Sequence, residues 1–193
     1  TDVELSRSSL GIGRTAHQFL QMGHPEEAAK LAALAVRLNP NDERWWTVLA
    51  EAQSRNNKLK DASQSLAKAK KINPNNAGLW FGEATIALRS ERPEKAIPLI
   101  QRSLQLDANN ASAYFVLGNA WVMQNNLVLA LKSFEKATEI KPGFWESLNN
   151  QALVLFELGE HDEAIRRWRR VLKLEQNAEP MLALAAALHQ KGE

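Results

Sequence analysis

The sequence predicts an all-α fold, a solenoid of stacked helix pairs, and three observations carry that prediction. First, residue types recur at a fixed step of 34: Ala28, Ala62, Ala96, Ala130, Ala164 in one series and Ala16, Ala50, Ala84, Gly118, Ala152 in another. Leu38, Ile72, Leu106, Ile140, Leu174 form an aliphatic series, and Pro40, Pro74, Ala108, Pro142, Gln176 a turn series, at the same step. Second, each unit divides into two apolar stripes of helical period. Third, no segment sustains the period-two alternation of a strand.

The elements follow in order as five repeats, 9–42, 43–76, 77–110, 111–144 and 145–177, with an extra helix in 178–193. Repeat four shows the plan best. Tyr114, Leu117, Gly118 and Trp121 fall at i, i+3, i+4 and i+7 of a first helix, one face of a 3.6-residue period. Asn125-Asn126 breaks it, because Asn tolerates the left-handed conformation that ends helices. A second stripe carries Ala130, Phe134 and Ala137, and Lys141-Pro142-Gly143 closes the unit, since Pro lacks the amide that would continue it. Gly23-His24, Asn57-Lys58 and Gly159-Glu160 stand at the same break in repeats one, two and five. Gly11-Ile12-Gly13 predicts a loose first helix in repeat one. Pro98 falls inside a second helix, where it should cost one bond and bend the axis. Thr15, Glu83 and Gln151 occupy stripe positions held elsewhere by Leu, and partial exposure with local hydrogen bonds is expected for them.

The small residues have a physical purpose. They let two helices approach closely, so that a large side chain of one fills the gap left by the other. A single pair cannot bury its apolar faces, and stacking the pairs does so. In the last helix, Met181, Leu184 and Leu188 should point inward while Ala183, Ala186 and Ala187 keep the helix apolar most of the way round. No second helix follows to cover it, so further repeats or self-association through that end are expected.

Composition narrows the chemistry. The 193 residues contain no Cys, which removes disulfides, thiolate metal sites and thiol catalysis. Lys and Arg total 24 against 22 Asp and Glu, a net +2 that argues against a dedicated nucleic-acid binder. The longest apolar runs, Leu31–Val36 and Met181–Leu188, fall well short of the about 20 residues that span a bilayer. The chain begins at Thr1 rather than Met, which leaves an upstream anchor or signal open. His24 and His161 stand beside acidic residues at helix starts, where such clusters cap the dipole rather than bind metal. The two glycines of Gly11-Ile12-Gly13 lack the preceding strand of a dinucleotide loop. Asn110-Ala111-Ser112 is a formal glycosylation sequon at an inter-repeat turn. Catalytic, metal and cofactor residues are therefore expected to be absent.

Taken together, these positions resemble the tetratricopeptide repeat, a 34-residue helix–turn–helix unit. The resemblance implies a right-handed α-solenoid forming one domain over 1–193, whose first helices line a concave groove. Arg44, Phe81, Thr85, Leu88, Phe115, Asn119, Val122, Asn149, Leu153 and Phe156 would then face that groove, with Arg55, Arg89 and Asn150 beside it. The Phe, Leu and Val side chains would give an apolar floor, and the Arg and Asn groups would orient a ligand. The Lys/Asn clamp with which some members hold acidic C-terminal tails is not supplied: Gly13 and His17, Thr47 and Glu51, Phe81 and Thr85 stand at its first two positions in repeats one to three.

The implied function is a non-enzymatic scaffold that captures a peptide or helix of a partner protein. A place in assembling multiprotein or membrane complexes is implied, of the kind bacteria and cyanobacteria use for photosystems and pili. Such a protein would be cytoplasmic or peripheral to a membrane. Two alternatives stand beside it. The basic runs Lys58–Lys71 and Arg166–Lys173, on second helices that would form the convex wall, could bind an anionic membrane or RNA surface. The chain could instead be the interaction domain of a larger enzyme.

Overall fold

The computed structural model describes residues 2–174 and 178–191. Eleven helices run through them, and no strand occurs among the described residues. They divide into two compact units, Thr1–Leu106 and Asp107–Glu193. The first contains α1 (Asp2–Gln21), α2 (Pro25–Leu38), α3 (Glu43–Arg55), α4 (Leu59–Ile72), α5 (Ala77–Arg89) and α6 (Pro93–Leu106). The second contains α7 (Ala111–Met123), α8 (Leu127–Ile140), α9 (Trp145–Glu157), α10 (His161–Leu174) and α11 (Ala178–Lys191). The five helix pairs fall where the 34-residue step places them. The expectations for Gln176 and the side chain of Met181 lie outside the described residues.

Each pair closes on small residues. Ala28, Ala62, Ala96, Ala130 and Ala164 are all fully buried, as are Ala16, Ala84 and Ala152. Gly118 shows why: a β-carbon there would lie 2.6 Å from Cδ1 of Phe134, whose ring is completely buried in α8. Gly13 does the same for another ring. Its missing side chain makes room for Trp45, whose Cε2 would stand 2.5 Å from an added β-carbon. Helix α1 accordingly runs without a break through both Gly11 and Gly13, where a loose helix was expected. The helix α6 likewise continues through Pro98, which is exposed.

Bonds across the repeat junctions largely end on main-chain carbonyls. Trp46 Nε1 donates to Pro40 O and Trp80 Nε1 to Pro74 O, each at 2.8 Å, so the indole at the fourth position ties the preceding turn. In the second unit Gln151 donates to Phe134 O at 3.0 Å and to Thr138 Oγ1 at 2.9 Å. It is only 1% exposed, so the partial exposure expected of it does not hold: the amide is satisfied inside the neighbouring pair. Glu83 is half-buried and forms an ion pair with Lys70 of α4. Thr15 follows expectation, exposed and bonded locally to Gly11 O at 3.1 Å. In α11, Ala183, Leu184, Ala187 and Leu188 pack against the Trp168 cluster, while Ala185 and Ala186 are exposed.

The turn inside each pair has one signature. Gly23, Asn57, Glu91, Asn125 and Gly159 all take positive φ, between 55° and 85°, again 34 residues apart. Four of the five are Gly or Asn, the types that reach this region at least cost. Glu91 is the exception, held there because the chain must turn back at the same point in every repeat. The starts of α3, α5, α7 and α8 are capped by side chains. Asp42 Oδ1 accepts from the Arg44 amide at 3.1 Å, and its carboxylate also takes the Arg44 guanidinium at 2.9 and 2.6 Å. Asn76, Asn110 and Asn126 cap α5, α7 and α8 in the same manner.

These features set three expectations. Gly118→Ala gains about 1 kcal/mol in helix propensity, yet the buried Phe134 ring cannot yield, so urea unfolding should show a net loss of about 1–3 kcal/mol. Glu91→Gly relieves about 1–2 kcal/mol of left-handed strain at a chain-entropy cost of about 0.5–1 kcal/mol, so the variant should be the more stable in the same assay. The bond from Arg44, opposed in part by burial, holds the Asp42 carboxyl below its ordinary value. A lowered folded value means the stabilisation is complete above the ordinary carboxylate range and is lost as pH falls through the folded value. Wild type should therefore exceed Asp42→Ala by about 1 kcal/mol at neutral pH, and the gap should close as pH drops below about 4.

Candidate peptide groove

In the first unit α1 packs directly on α3, and α3 on α5. Such direct approach places the first helices on the inner side of that unit, and two concavities open between them.

The first lies between α3 and α5. It has a volume of about 360 Å³ and is lined by Thr47, Glu51, Ser54, Phe81 and Thr85 around a base that includes Ala50, Leu66 and Ile86. Gly78 and Gly82 leave it open, since a β-carbon at Gly82 would make only ordinary contact with Leu66. Phe81 and Thr85 are half-buried here, at the groove positions read from the sequence. Thr85 Oγ1 donates to Gly82 O at 2.8 Å.

The second lies between α1 and α3, with a volume of about 610 Å³. Arg14, His17 and Gln21 border it from α1, and Arg44, Trp45 and Thr47 from α3. Glu43 also lines it; its Oε1 accepts from Asn76 at 3.1 Å, while its Oε2 is buried without a hydrogen-bond partner. Trp45 is 5% exposed, and its Nε1 is likewise buried and unpartnered. The Arg44 guanidinium stands 5.0 Å from the Trp45 ring centroid. Sequence reading placed Arg44 here but missed this cavity. The available signal was Gly13, the smallest residue at a position that is Thr47, Phe81 and Phe115 in the next three repeats.

The remaining polar residues of the first unit serve the scaffold. Arg55 Nη1 donates to Leu20 O at 2.8 Å and its Nη2 to Glu51 at 2.6 Å. Arg89, one repeat later, donates to Ser54 O at 2.9 Å and to Ser54 Oγ at 2.6 Å. Both guanidinium groups thus bind the C-terminal end of the preceding first helix, the negative end of its dipole. Leu88 is half-buried outside the lining of either cavity.

The second unit distributes its candidate residues differently. Val122 and Leu153 are exposed, by 40% and 43%. Asn150 Nδ2 donates to Asn119 Oδ1 at 2.9 Å, joining α9 to α7. Phe115 packs on Phe134 and Phe144, with ring centroids 5.8 and 5.0 Å away. Phe156 packs on His161 at 4.7 Å and Trp168 at 5.9 Å. Asn149 is buried, and its Oδ1 accepts from Trp168 Nε1 at 3.0 Å, so its amide belongs to the interior of the α9–α10 pair and not to an open groove. Among the described residues no group of three or more His, Asp or Glu is placed to hold a metal ion, and no helix is long and apolar enough to cross a membrane.

Comparison with solved structures gives the same architecture. PilF of Pseudomonas aeruginosa superposes with a TM-score of 0.85 at 18% identity, covering 98% of this chain and 88% of that one. MamA of Desulfovibrio magneticus RS-1, from residue 41 onward, gives 0.80 at 20% identity, covering 88% and 96%. YrrB, described as a TPR protein with an unusual peptide-binding site, gives 0.72 at 20% identity, covering 94% and 91%. At these identities the likeness concerns the fold. No curated protein sequence matches the chain. Tetratricopeptide repeat models match residues 19–81, 81–143 and 133–166 in succession. The helix pairs, their 34-residue step and these matches agree: the chain belongs to the tetratricopeptide repeat family.

Proposed function

We propose that this protein is a non-catalytic scaffold that holds a peptide segment of a partner protein on the inner face of its first helices. The observation that carries this reading is the cavity between α3 and α5, built from Thr47, Glu51, Phe81 and Thr85 at the positions a groove would use. Its apolar base supplies burial, and the hydroxyl and carboxylate rim supplies orientation, the division of labour found in peptide-binding grooves. YrrB, of like fold, is described as having a peptide-binding site, and this supports a protein ligand. Assembly of a multiprotein or membrane complex is the cellular role we assign to that capture. A peripheral place on such a complex and self-association through the exposed side of α11 belong to the same proposal.

The basic second helices make a weaker case. Lys70 is engaged by Glu83, and Arg166 and Arg167 share Glu163. Arg170 donates to Pro142 O at 3.2 Å. Three of the ten cations in the two basic runs are thus paired with carboxylates inside the protein, and Arg170 is held by a neutral carbonyl.

Partner capture from a cell extract, followed by titration of the retained protein, tests the groove. Phe81→Ala removes an aromatic anchor worth about 2 kcal/mol or more and should weaken binding at least about tenfold. Arg169→Glu with Arg170→Glu should leave binding within about twofold, and circular dichroism should show both variants folded. Normal binding by folded Phe81→Ala, together with loss in the arginine variant, would move the working surface to the outer helices.

A further inference from the structure

A further concavity of the first unit lies between the second helices α4 and α6, over the C-terminal half of α5, with a volume of about 520 Å³. It shares only Ile86 with the cavity between α3 and α5. Lys60 of α4, Arg92 of the turn and Lys95 of α6 stand around it, together with Ser63, Gln64 and Ser90. Among the described residues, none of these six side chains has a hydrogen-bond or ion-pair partner. The one acid in the lining, Glu83, is already neutralised by Lys70, which lies outside it. Lys60 and Lys95 also belong to the first turns of α4 and α6, so the positive ends of two helix dipoles stand beside the same space.

The repeat supplies an internal comparison. An equivalent cavity of about 710 Å³ opens one repeat earlier, where α2, α3 and α4 meet. There the walls carry Glu26 with Lys30 and Lys58 with Asp61, a balance of both signs. Thirty-four residues on, Glu26 becomes Lys60, Asp61 becomes Lys95 and Lys58 becomes Arg92, while Ala29 and Asn56 become Ser63 and Ser90. The fold therefore provides the space in both places, and only the second has lost its carboxylates and gained hydroxyls. Three like charges around one cavity repel one another until an anion lies between them.

The chemistry of the anion follows from the lining. Arg92 offers a planar fork that matches two oxygens of one tetrahedral group, and each Lys offers a point charge. Cations on α4, on α6 and on the turn between α5 and α6 are not all served by one such group, and the volume falls in the range of small-molecule sites. No aromatic side chain lines the cavity, so a nucleotide base would find nothing to stack on. We propose that the cavity between α4 and α6 binds a small molecule carrying two or more phosphate groups, with Lys60, Arg92 and Lys95 as its charge partners and Ser63 and Ser90 as hydroxyl donors. This site is independent of the peptide groove and stands or falls without it.

The test is a titration of the ¹⁵N-labelled full chain with tripolyphosphate at low ionic strength, followed by NMR and calorimetry. The Ser63, Gln64 and Ser90 amide signals are expected to shift saturably, while those of Ala29, Lys30 and Asn56 in the equivalent cavity stay in place. Lys60→Glu with Lys95→Asp restores the charges of the earlier repeat at exposed positions and should weaken binding at least about tenfold. Lys68→Glu with Lys71→Asp makes the same change of net charge on α4 outside the cavity and should leave binding within about threefold. Circular dichroism should show both variants folded. Sulfate, a single tetrahedral group, should bind at least about tenfold more weakly than tripolyphosphate. Absence of a saturable shift, equal loss in the two variants, or sulfate binding as tightly as tripolyphosphate overturns the proposal. Capture of the chain by phosphatidylcholine vesicles containing a phosphorylated inositol lipid, with tripolyphosphate producing no shift, would overturn it in favour of a membrane surface.

Discussion

Everything in this structure depends on how closely the two helices of a repeat can approach. That distance is set by one residue near the middle of each first helix: Ala16, Ala50, Ala84, Gly118 or Ala152. The opposing helix contributes another small residue, from Ala28 to Ala164 in the same step. Where the facing side chain is as large as Phe134, even alanine is too big and the position becomes Gly118. Once this approach is fixed, the rest of the apolar stripe has only one place to go, which is the neighbouring pair. Stacking is thus a consequence of close packing inside the repeat, and the inner face exists because stacking leaves one side of the first helices uncovered.

The fold was legible because its determinants are residue sizes at a fixed spacing. Volume is a property of residue type, so a series of alanines reads directly as a line of close approaches. The turns were readable where Gly or Asn stood, at Gly23, Asn57, Asn125 and Gly159. Glu91 gave no such signal, because the geometry of its turn is imposed by the helices on either side and not by its own preference. Gln151 misled for a related reason: its partners, Phe134 O and Thr138 Oγ1, belong to another repeat, and one is a main-chain group that sequence cannot display.

The groove was legible only in part. Phe81 and Thr85 line a cavity because Gly78 and Gly82 leave space beside them. Phe115 and Phe156 hold equivalent kinds of position, yet each finds aromatic neighbours within its own unit, Phe134 with Phe144 and His161 with Trp168. Asn149 is drawn inward by the indole of Trp168, a demand made by a residue 19 positions away. An ideal repeat assigns such positions to the ligand face. The actual side chains on the second helix decide whether they stay there.

The junction bonds carry a different implication, for how such a chain can change over time. Arg55 and Arg89 reach Leu20 O and Ser54 O, and Trp46 and Trp80 reach Pro40 O and Pro74 O. In each case one partner is a peptide carbonyl, which every amino acid supplies. A substitution at the accepting position leaves the bond available, so only the donor is exposed to mutational loss. Half of each fastening is therefore immune to drift. A repeat that is duplicated, deleted or moved along the chain meets a compatible acceptor wherever it lands, and the array can be lengthened or reordered without a matched change in its neighbour.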